Sequence, residues 1–194
     1  MNKPQSITTK VGDKGTTVLL SGEVVDKDSP RTMAYGDLDE LVSILGVARC
    51  HVKRADVSEE ILFLQRNLFL AGAEMATTSE FVKMLRQRIE EPFLEEFEVR
   101  RDRWEHSIVM PKGFIIPGGS GSLAAAHLDH ARAVSRRLER RAVRMARESL
   151  ISNPAMMRWL NRLSDFLWLL ARAEEGESLS LHQLRTKLDG QRNE

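Results

Sequence analysis

Residues 131–147, ARAVSRRLERRAVRMAR, carry the clearest helical pattern of the chain. Apolar side chains recur there at intervals of three or four residues, so they would share one face of an α helix. These are Ala131, Val134, Leu138, Ala142 and Met145. A segment rich in proline and glycine, 111–121, precedes the pattern. We therefore expect one long helix over about 122–150.

The first half of the chain predicts two more helices. One is expected to carry an apolar face over 38–48, with Asp37 and Glu40 in its first turn, where the helix dipole favours acidic side chains. The other is expected over 58–77, with the Ser58 hydroxyl as its N-cap. Both patterns have the period of a helix and not of a strand.

The remaining segments complete a helical protein. Residues 78–92 show no clear pattern, and Pro92 is expected to restart a helix. A last strong helix is expected over 155–174, and 178–188 could form a short one. Strand-like alternation is almost absent, so four or five amphipathic helices predict an all-α bundle.

Composition narrows the class of protein. The 194 residues, 42% of them hydrophobic, suit a single domain over 1–194. With 29 basic against 28 acidic side chains, the net charge gives no overall attraction to nucleic acid or to a membrane. Neither a secretory signal nor a membrane-spanning run is apparent. The single cysteine, Cys50, lies in an apolar run and is expected to be buried, which is consistent with the cytoplasm.

Residues 9–17, TKVGDKGTT, concentrate glycine, lysine and threonine ahead of the first helix. Glycine lets backbone N–H groups approach an anion closely, while lysine adds charge and threonine adds hydroxyl donors. This composition suits a loop that holds a polyphosphate, although its spacing is not that of a P-loop. A plain surface turn would explain the same residues without a ligand.

The long helix is also rich in arginine. Arg132, Arg136 and Arg140 lie on one stripe together with Glu139, and guanidinium groups can bind phosphate through two hydrogen bonds. Four other arginines suit either this role or ion pairs with neighbouring helices. These are Arg137, Arg141, Arg144 and Arg147. A nucleic-acid interface is disfavoured because no aromatic side chains are interleaved with the arginines.

Two further features have both a functional and a structural explanation. Asn161 lies in the middle of the last predicted helix, where asparagine is a poor helix former, so it could bind a nucleotide or make a hydrogen bond within the bundle. His127 and His130 have a spacing compatible with a metal, but the sequence places no further ligand beside them.

Seven segments, in this order along the chain, closely resemble the motifs of PduO-type ATP:cob(I)alamin adenosyltransferases. They are TKVGDKGTT at 9–17, KDSPR at 27–31, AYGDLDEL at 34–41, FIIPGG at 114–119, AR at 131–132, RRLER at 136–140 and LNRLSD at 160–165. The resemblance covers about residues 7–172. Several ordered motifs together favour the ligand interpretation of 9–17 over a surface turn.

The resemblance implies a fold, an activity and an assembly. The fold would be a five-helix bundle with a ferritin-like up-down arrangement, assembled as a homotrimer with active sites between subunits. Segment 1–30 would hold ATP with Mg²⁺, and 178–194 would be a polar tail. The enzyme would transfer the 5′-deoxyadenosyl group of ATP to the cobalt(I) of a corrinoid, and a reductase could supply the electron.

The resemblance also implies roles for individual residues. The nucleotide site would comprise Thr9, Lys10, Val11, Gly12, Thr17, Lys27, Arg136, Arg137, Leu138, Glu139, Arg140 and Asn161. Asp39 and Arg132 match an ion pair between subunits, and Arg136 would act on the triphosphate. Phe114 matches an aromatic residue that packs beneath the corrin ring and displaces the lower axial ligand of cobalt, although the sequence alone favours a core phenylalanine.

The chain departs from the family pattern in two places. Segment 120–131 is slightly longer than usual, and Asp129 and His130 replace a histidine and an apolar residue. After Arg172, the sequence AEEG at 173–176 replaces an aromatic residue followed by Ala-Asn. The loop near the corrin and the C-terminal cover over it are therefore expected to differ from the family.

Two other functions would use the same residues. A delivery or regulatory protein could bind nucleotide and corrinoid without turnover. A helical protein could instead place its arginine stripe on RNA, with binding that salt weakens strongly and that ATP does not compete away.

Overall fold

The computed structural model describes residues 8, 10, 12–176, 179–181 and 183. This part of the chain forms five α helices, one two-stranded antiparallel sheet and a single 3₁₀ turn. The strands are β1 (Thr16–Val18) and β2 (Val24–Asp26), and the 3₁₀ turn is Val82–Met84. The helices are α1 (Pro30–His51), α2 (Ala55–Met75), α3 (Glu91–Ser107), α4 (Leu123–Arg147) and α5 (Pro154–Glu175). The predicted helical class is confirmed, with the addition of a small β hairpin.

Side-chain caps fix the starts of α4 and α5. The Ser122 hydroxyl accepts a hydrogen bond from the Ala125 N–H at 3.2 Å, and the Asn153 side-chain oxygen accepts one from the Met156 N–H at 3.1 Å. These caps agree with the predicted starts of both helices. The predicted restart at Pro92 is also confirmed, because proline occupies the first turn of α3.

Two predicted helix starts are wrong. Helix α1 begins at Pro30, where the Ser29 hydroxyl accepts from the Thr32 N–H at 3.4 Å, so Asp37 and Glu40 lie well beyond its first turn. Helix α2 begins three residues before Ser58, whose own N–H donates to the Arg54 carbonyl within the helix. In α1 the apolar pattern starts later than the helix because the first turn carries the polar side chains of Arg31 and Thr32, which are buried. In α2 the first two side chains, Ala55 and Asp56, are exposed.

Helix α4 lies at the centre of the bundle and packs against both α1 and α5, while α3 packs on α5 and α2 packs mainly on α1. Its predicted apolar face is confirmed, since all five of its residues are buried. Phe97 of α3 makes edge-to-face contacts with Trp159 and Phe166 of α5, at centroid distances of 5.9 and 5.2 Å. Burial of each such aromatic side chain contributes about 2–3 kcal/mol.

The direction of α1 opposes that of α4. At one end the Arg31 guanidinium donates to the Leu150 carbonyl at 2.6 Å, just after α4 ends. At the other end the rings of His51 and His127 stack with centroids 6.2 Å apart. The N-terminus of α1 therefore lies beside the C-terminus of α4.

The β hairpin attaches to that same end of the bundle. The Leu20 N–H donates to the Ala76 carbonyl at 3.0 Å, and the Thr78 N–H donates to the Ser21 hydroxyl at 3.3 Å. The sequence signal missed this sheet because each strand has only three residues. Such short strands depend on the tertiary structure that they pack against.

Cys50 is exposed, so the prediction of a buried thiol is wrong. It lies two residues after the buried Ala48, and a step of two residues along a helix turns a side chain to the opposite face. No helix in the described part of the chain is long and apolar enough to cross a membrane.

Candidate functional site

The C-terminal half of α4 lines an open groove of about 630 Å³, which we call the arginine groove. Its lining residues are Arg136, Glu139, Arg140, Val143, Arg144, Arg147 and Glu148. Three of the predicted nucleotide-binding residues, Arg136, Glu139 and Arg140, therefore lie together. Arg136 and Arg140 are exposed and make no hydrogen bond or ion pair with any described residue. Their guanidinium groups are thus available to an anion.

The other arginines of α4 divide between neutralised and free positions. Arg137 contacts Asp37 at 3.2 Å and forms a second ion pair with Glu40, while Arg141 lies 3.5 Å from the same oxygen of Asp37. Arg144 pairs with Glu148 at 2.8 Å inside the arginine groove. The guanidinium of Arg137 therefore faces α1 and not the groove, and its contact with nucleotide stays a prediction.

Two of the predicted residues fix the position of the groove. The Leu138 side chain is fully buried in the core, where it orients the neighbouring arginines outward. The Asn161 side-chain amide of α5 donates to a Glu139 carboxylate oxygen at 2.8 Å. Of the two explanations for Asn161, the tertiary hydrogen bond is thus observed, and it places Asn161 at the edge of the groove.

The N-terminal loop brings three predicted residues together. A Cβ on Gly12 would lie 2.7 Å from the Lys27 ammonium nitrogen and 3.2 Å from the Thr16 carbonyl oxygen. Thr17 pairs with Val25 in the hairpin that follows. Glycine at position 12 therefore lets the lysine fold over the loop.

The described backbone of this loop is tightly turned. Lys10 has a positive φ of 60°, which is uncommon for a residue with a side chain and indicates a tightly turned backbone. The Lys27 N–H donates to the Gly15 carbonyl at 2.8 Å and closes the turn. The predicted contacts of Thr9 and Val11 lie outside the described residues.

The loop and the groove lie at the same end of the bundle. No hydrogen bond or ion pair joins residues 12–28 to Arg136 or Arg140 in the described part of the chain. The predicted ion pair of Asp39 and Arg132 is likewise not formed within the chain. Asp39 is exposed, and the Arg132 Nε lies 3.8 Å from an Asp129 carboxylate oxygen instead.

Phe114 lies in the segment 111–121, which we call the Phe114 loop, and its side chain is 82% exposed. This exposure excludes the core position that sequence alone favours for a phenylalanine, and leaves the ring available to a ligand. The backbone, by contrast, is held. The Phe114 carbonyl accepts from the Leu181 N–H at 2.9 Å, and the Ile116 N–H donates to the Leu179 carbonyl at 3.0 Å.

Sequence reasoning missed one buried cluster near this loop. Arg172 donates to an Asp129 carboxylate oxygen at 2.6 Å and contacts a Glu175 carboxylate oxygen at 2.8 Å. The sequence contains a signal for one of these two contacts only. Arg172 and Glu175 are three residues apart on a helix, a spacing that favours an ion pair. His127 stacks on His51, and the described residues contain no cluster of three His, Cys, Asp or Glu side chains that could hold a metal.

The chain matches proteins of one kind in three independent comparisons. The family model described as cobalamin adenosyltransferase matches residues 7–174. A corrinoid adenosyltransferase of Citrobacter freundii is 41% identical over 87% of this chain and 94% of that relative. The corrinoid adenosyltransferase PduO of Salmonella typhimurium is 37% identical over 93% of this chain, which spans about half (53%) of that longer protein.

The fold agrees with these relatives. A variant of the PduO-type ATP:corrinoid adenosyltransferase from Lactobacillus reuteri, solved in complex with cobalamin and ATP, superposes with a TM-score of 0.79 and is 31% identical over 90% of this chain and 97% of its own. Likeness of this extent in sequence and in fold cannot arise from the helical architecture alone, since unrelated bundles share no motifs. The chain therefore belongs to the cobalamin adenosyltransferase family.

Proposed function

We propose that this protein transfers the 5′-deoxyadenosyl group of ATP to the cobalt(I) of a corrinoid, giving adenosylcobalamin and triphosphate. Cobalt(I) donates an electron pair to the ribose 5′ carbon, a Co–C bond forms, and the bond from that carbon to the triphosphate oxygen breaks. The triphosphate leaves with the electron pair of the broken bond. No general base is needed, so the protein has to position the reactants and stabilise the leaving group.

The observation that carries this proposal is the pair of unneutralised guanidinium groups in the arginine groove. Arg136 and Arg140 are four residues apart on the exposed face of α4, so both can bind one triphosphate. Charge that builds on the triphosphate during transfer would be stabilised there. Arg137 would join them only if it exchanged its ion pairs with Asp37 and Glu40 for the nucleotide.

Three copies of the chain would complete the site. The loop residues Gly12, Thr17 and Lys27 carry the other phosphate-binding groups, together with Thr9, Lys10 and Val11. No hydrogen bond or ion pair joins the described residues Gly12, Thr17 or Lys27 to the groove of their own chain. A homotrimer built from ferritin-like up-down bundles would place the loop of one subunit over the groove of the next. The free carboxylate of Asp39 and the incompletely paired Arg132 suit an ion pair across the same interface.

The corrinoid would bind beside the Phe114 loop. An exposed phenyl ring beneath cobalt excludes a water or base ligand from the lower axial position, which makes cobalt(I) easier to form from cobalt(II). A cytoplasmic reductase would supply the electron. Phe114 thereby acts on the metal of the substrate, while the groove acts on ATP.

Mg²⁺ would accompany the triphosphate. Magnesium in such sites is held mainly by phosphate oxygens and water, with only one or two protein ligands, so the lack of a carboxylate cluster in the described residues is compatible with it. The Glu139 carboxylate and the Thr17 hydroxyl are the oxygen groups best suited to complete its shell. When bound, the ion supplies positive charge beside the leaving triphosphate.

An anaerobic assay tests the function directly. Cobalt(I) cobalamin is mixed with the protein and Mg-ATP, and the absorption change of Co–C bond formation is followed together with triphosphate release. We expect both products with ATP and neither without it. Tight binding of ATP and cobalamin without either product would instead indicate the delivery or regulatory protein.

A further inference from the structure

Asp129, Arg172 and Glu175 form a buried charge network between α4 and the end of α5. Their side chains are 4%, 2% and 0% exposed, and the two contacts of Arg172 measure 2.6 and 2.8 Å. Buried charges are costly to desolvate, and removing one partner leaves the others uncompensated. The network therefore defines one relative position of these two helices.

The network lies where two segments leave the bundle. Glu175 ends α5, and Gly176 turns the chain with a positive φ of 70°. Residues 179–181, which we call the C-terminal segment, then run antiparallel to 114–116. Asp129 lies in the second turn of α4, and the Phe114 loop runs directly into the first turn of that helix.

The C-terminal segment packs closely on the Phe114 loop. A Cβ on Gly119 would lie 2.8 Å from the Leu179 Cβ, so the two backbones approach as closely as a glycine allows. The amides of Ile116 and Leu181 supply the hydrogen bonds that join the two strands. Since the Phe114 ring is exposed, only its backbone and these contacts fix where it points.

The network also joins two distant segments of the chain. Asp129 lies shortly before Arg132 in α4, and Glu175 is the last residue of α5. They share the guanidinium of Arg172, which lies 43 residues after Asp129. One guanidinium that contacts both carboxylates couples the start of α4 to the end of α5.

We propose that Asp129, Arg172 and Glu175 are positioning residues for corrinoid. They fix the end of α5 on α4, and the C-terminal segment that follows then holds the backbone of Phe114. This proposal rests on the proposed function. For Glu175 this effect is confined to the corrinoid, because the arginine groove lies in the other half of α4. Asp129 also lies 3.8 Å from Arg132, so its charge acts on that side chain as well.

Two variants test the network. Asp129→Asn and Glu175→Gln preserve shape and remove one charge each. In both variants we expect the KM for cobalamin to rise about 10-fold. In Glu175→Gln, which leaves the contact of Asp129 with Arg132 intact, we expect the KM for ATP to stay within about 2-fold. We also expect faster hydrogen exchange at the amides of Ile116 and Leu181. Glu96→Gln, which removes an exposed ion pair with Arg100 on α3, is the matched control.

The outcomes separate this proposal from the proposed function. Folded variants with unchanged exchange and unchanged KM for cobalamin overturn it. If Asp129→Asn does not fold, Glu175→Gln decides, because it leaves the pair of Asp129 and Arg172 intact. If the unmodified protein forms no Co–C bond, the proposed function is wrong. Hydrogen exchange at Ile116 and Leu181 then tests by itself whether the network fixes the backbone of the Phe114 loop.

Discussion

The side-chain amide of Asn161 donates to the carboxylate of Glu139 across 2.8 Å, and this bond joins α5 to the arginine groove of α4. Both residues are at least partly exposed, so the bond adds little to stability. Its structural consequence is that one carboxylate oxygen of Glu139 is held toward α5. A carboxylate held in this way cannot turn freely onto Arg136 or Arg140, and their guanidinium groups stay open to an anion.

A double-mutant cycle on Asn161 and Glu139 tests this coupling. We expect Asn161→Ala to lower kcat/KM for ATP about 10-fold, because the released carboxylate competes with the triphosphate for arginine. Glu139→Ala should have its own effect, and adding Asn161→Ala to it should cost little more. Fully additive effects would mean that the two side chains act on ATP independently.

Arg136→Ala should reduce the use of ATP most severely among the arginine variants. Loss of a guanidinium from a developing charge costs about 3–4 kcal/mol, so kcat/KM for ATP should fall by a factor of about 100 to 1,000. Arg136→Lys should recover part of the activity, since lysine keeps the charge but not the two parallel hydrogen bonds. Arg158→Ala, which removes an exposed ion pair with Glu91, is the control and should behave as the unmodified protein.

Phe114→Ala should impair the reaction of the corrinoid without changing the binding of ATP. We expect unchanged binding of ATP, measured by calorimetry, and a large loss of Co–C bond formation when the reaction starts from cobalt(II) with a reductant. The physical reason is that a lower axial ligand would return to cobalt. Phe69→Ala on α2 removes another exposed aromatic ring and is the control. If Phe114→Ala and Phe69→Ala had equal activity, Phe114 would not be part of the corrinoid site.

Arg31 is expected to matter for stability. Its guanidinium donates to the carbonyl oxygens of Met75 and Thr77 at 2.8 Å and of Leu150 at 2.6 Å, and burial lowers its pKa. Arg31→Ala would leave these acceptors unsatisfied at a point where α1, α2 and α4 meet. We expect a loss of about 3–5 kcal/mol in the free energy of unfolding, measured with urea.

The control for Arg31 is Arg54→Ala. Arg54 forms an exposed ion pair with Asp56 at 2.7 Å, and such pairs contribute about 0–1 kcal/mol. A similar loss of stability in both variants would show that the three carbonyl contacts of Arg31 contribute no more than a surface charge does.

Sequence predicted those parts of the fold that depend on local signals. The buried face of α4 follows from periodicity, and its start follows from the Ser122 cap. The start of α2 was wrong because no side chain caps it, and the first side chains of the helix are exposed. The hairpin was missed because its strands are too short to show a pattern of their own.

The candidate site was predicted from motifs, and the limits of that prediction are physical. Motif spacing identified Arg136 and Arg140 but could not tell that Arg137 faces α1, because α1 supplies its acidic partners from distant sequence. It also could not pair Asp129 with Arg172, which are 43 residues apart. Long-range pairs of charges depend on how helices pack, and one sequence contains no direct signal for that.

No hydrogen bond or ion pair joins the described loop residues to the groove of the same chain, which leads to a prediction about mixed assemblies. Lys27→Ala damages only the loop, and Arg136→Ala damages only the groove, so each variant alone should be nearly inactive. If a site uses the loop of one subunit and the groove of the next, every mixed cyclic trimer contains one site with two intact halves. Random assembly at equal amounts makes about three quarters of trimers mixed, so about a quarter of the unmodified activity should return.

Co-expression of the two variants with different affinity tags, followed by purification on both tags, isolates the mixed trimers for this assay. These should then show about one third of the unmodified activity, because one site in three is intact. Variants that are purified separately and mixed without subunit exchange should stay inactive. If co-expressed variants also stay inactive while forming mixed assemblies, both halves of each site come from the same chain. That result would mean that the loop lies over the groove of its own chain when ATP is bound.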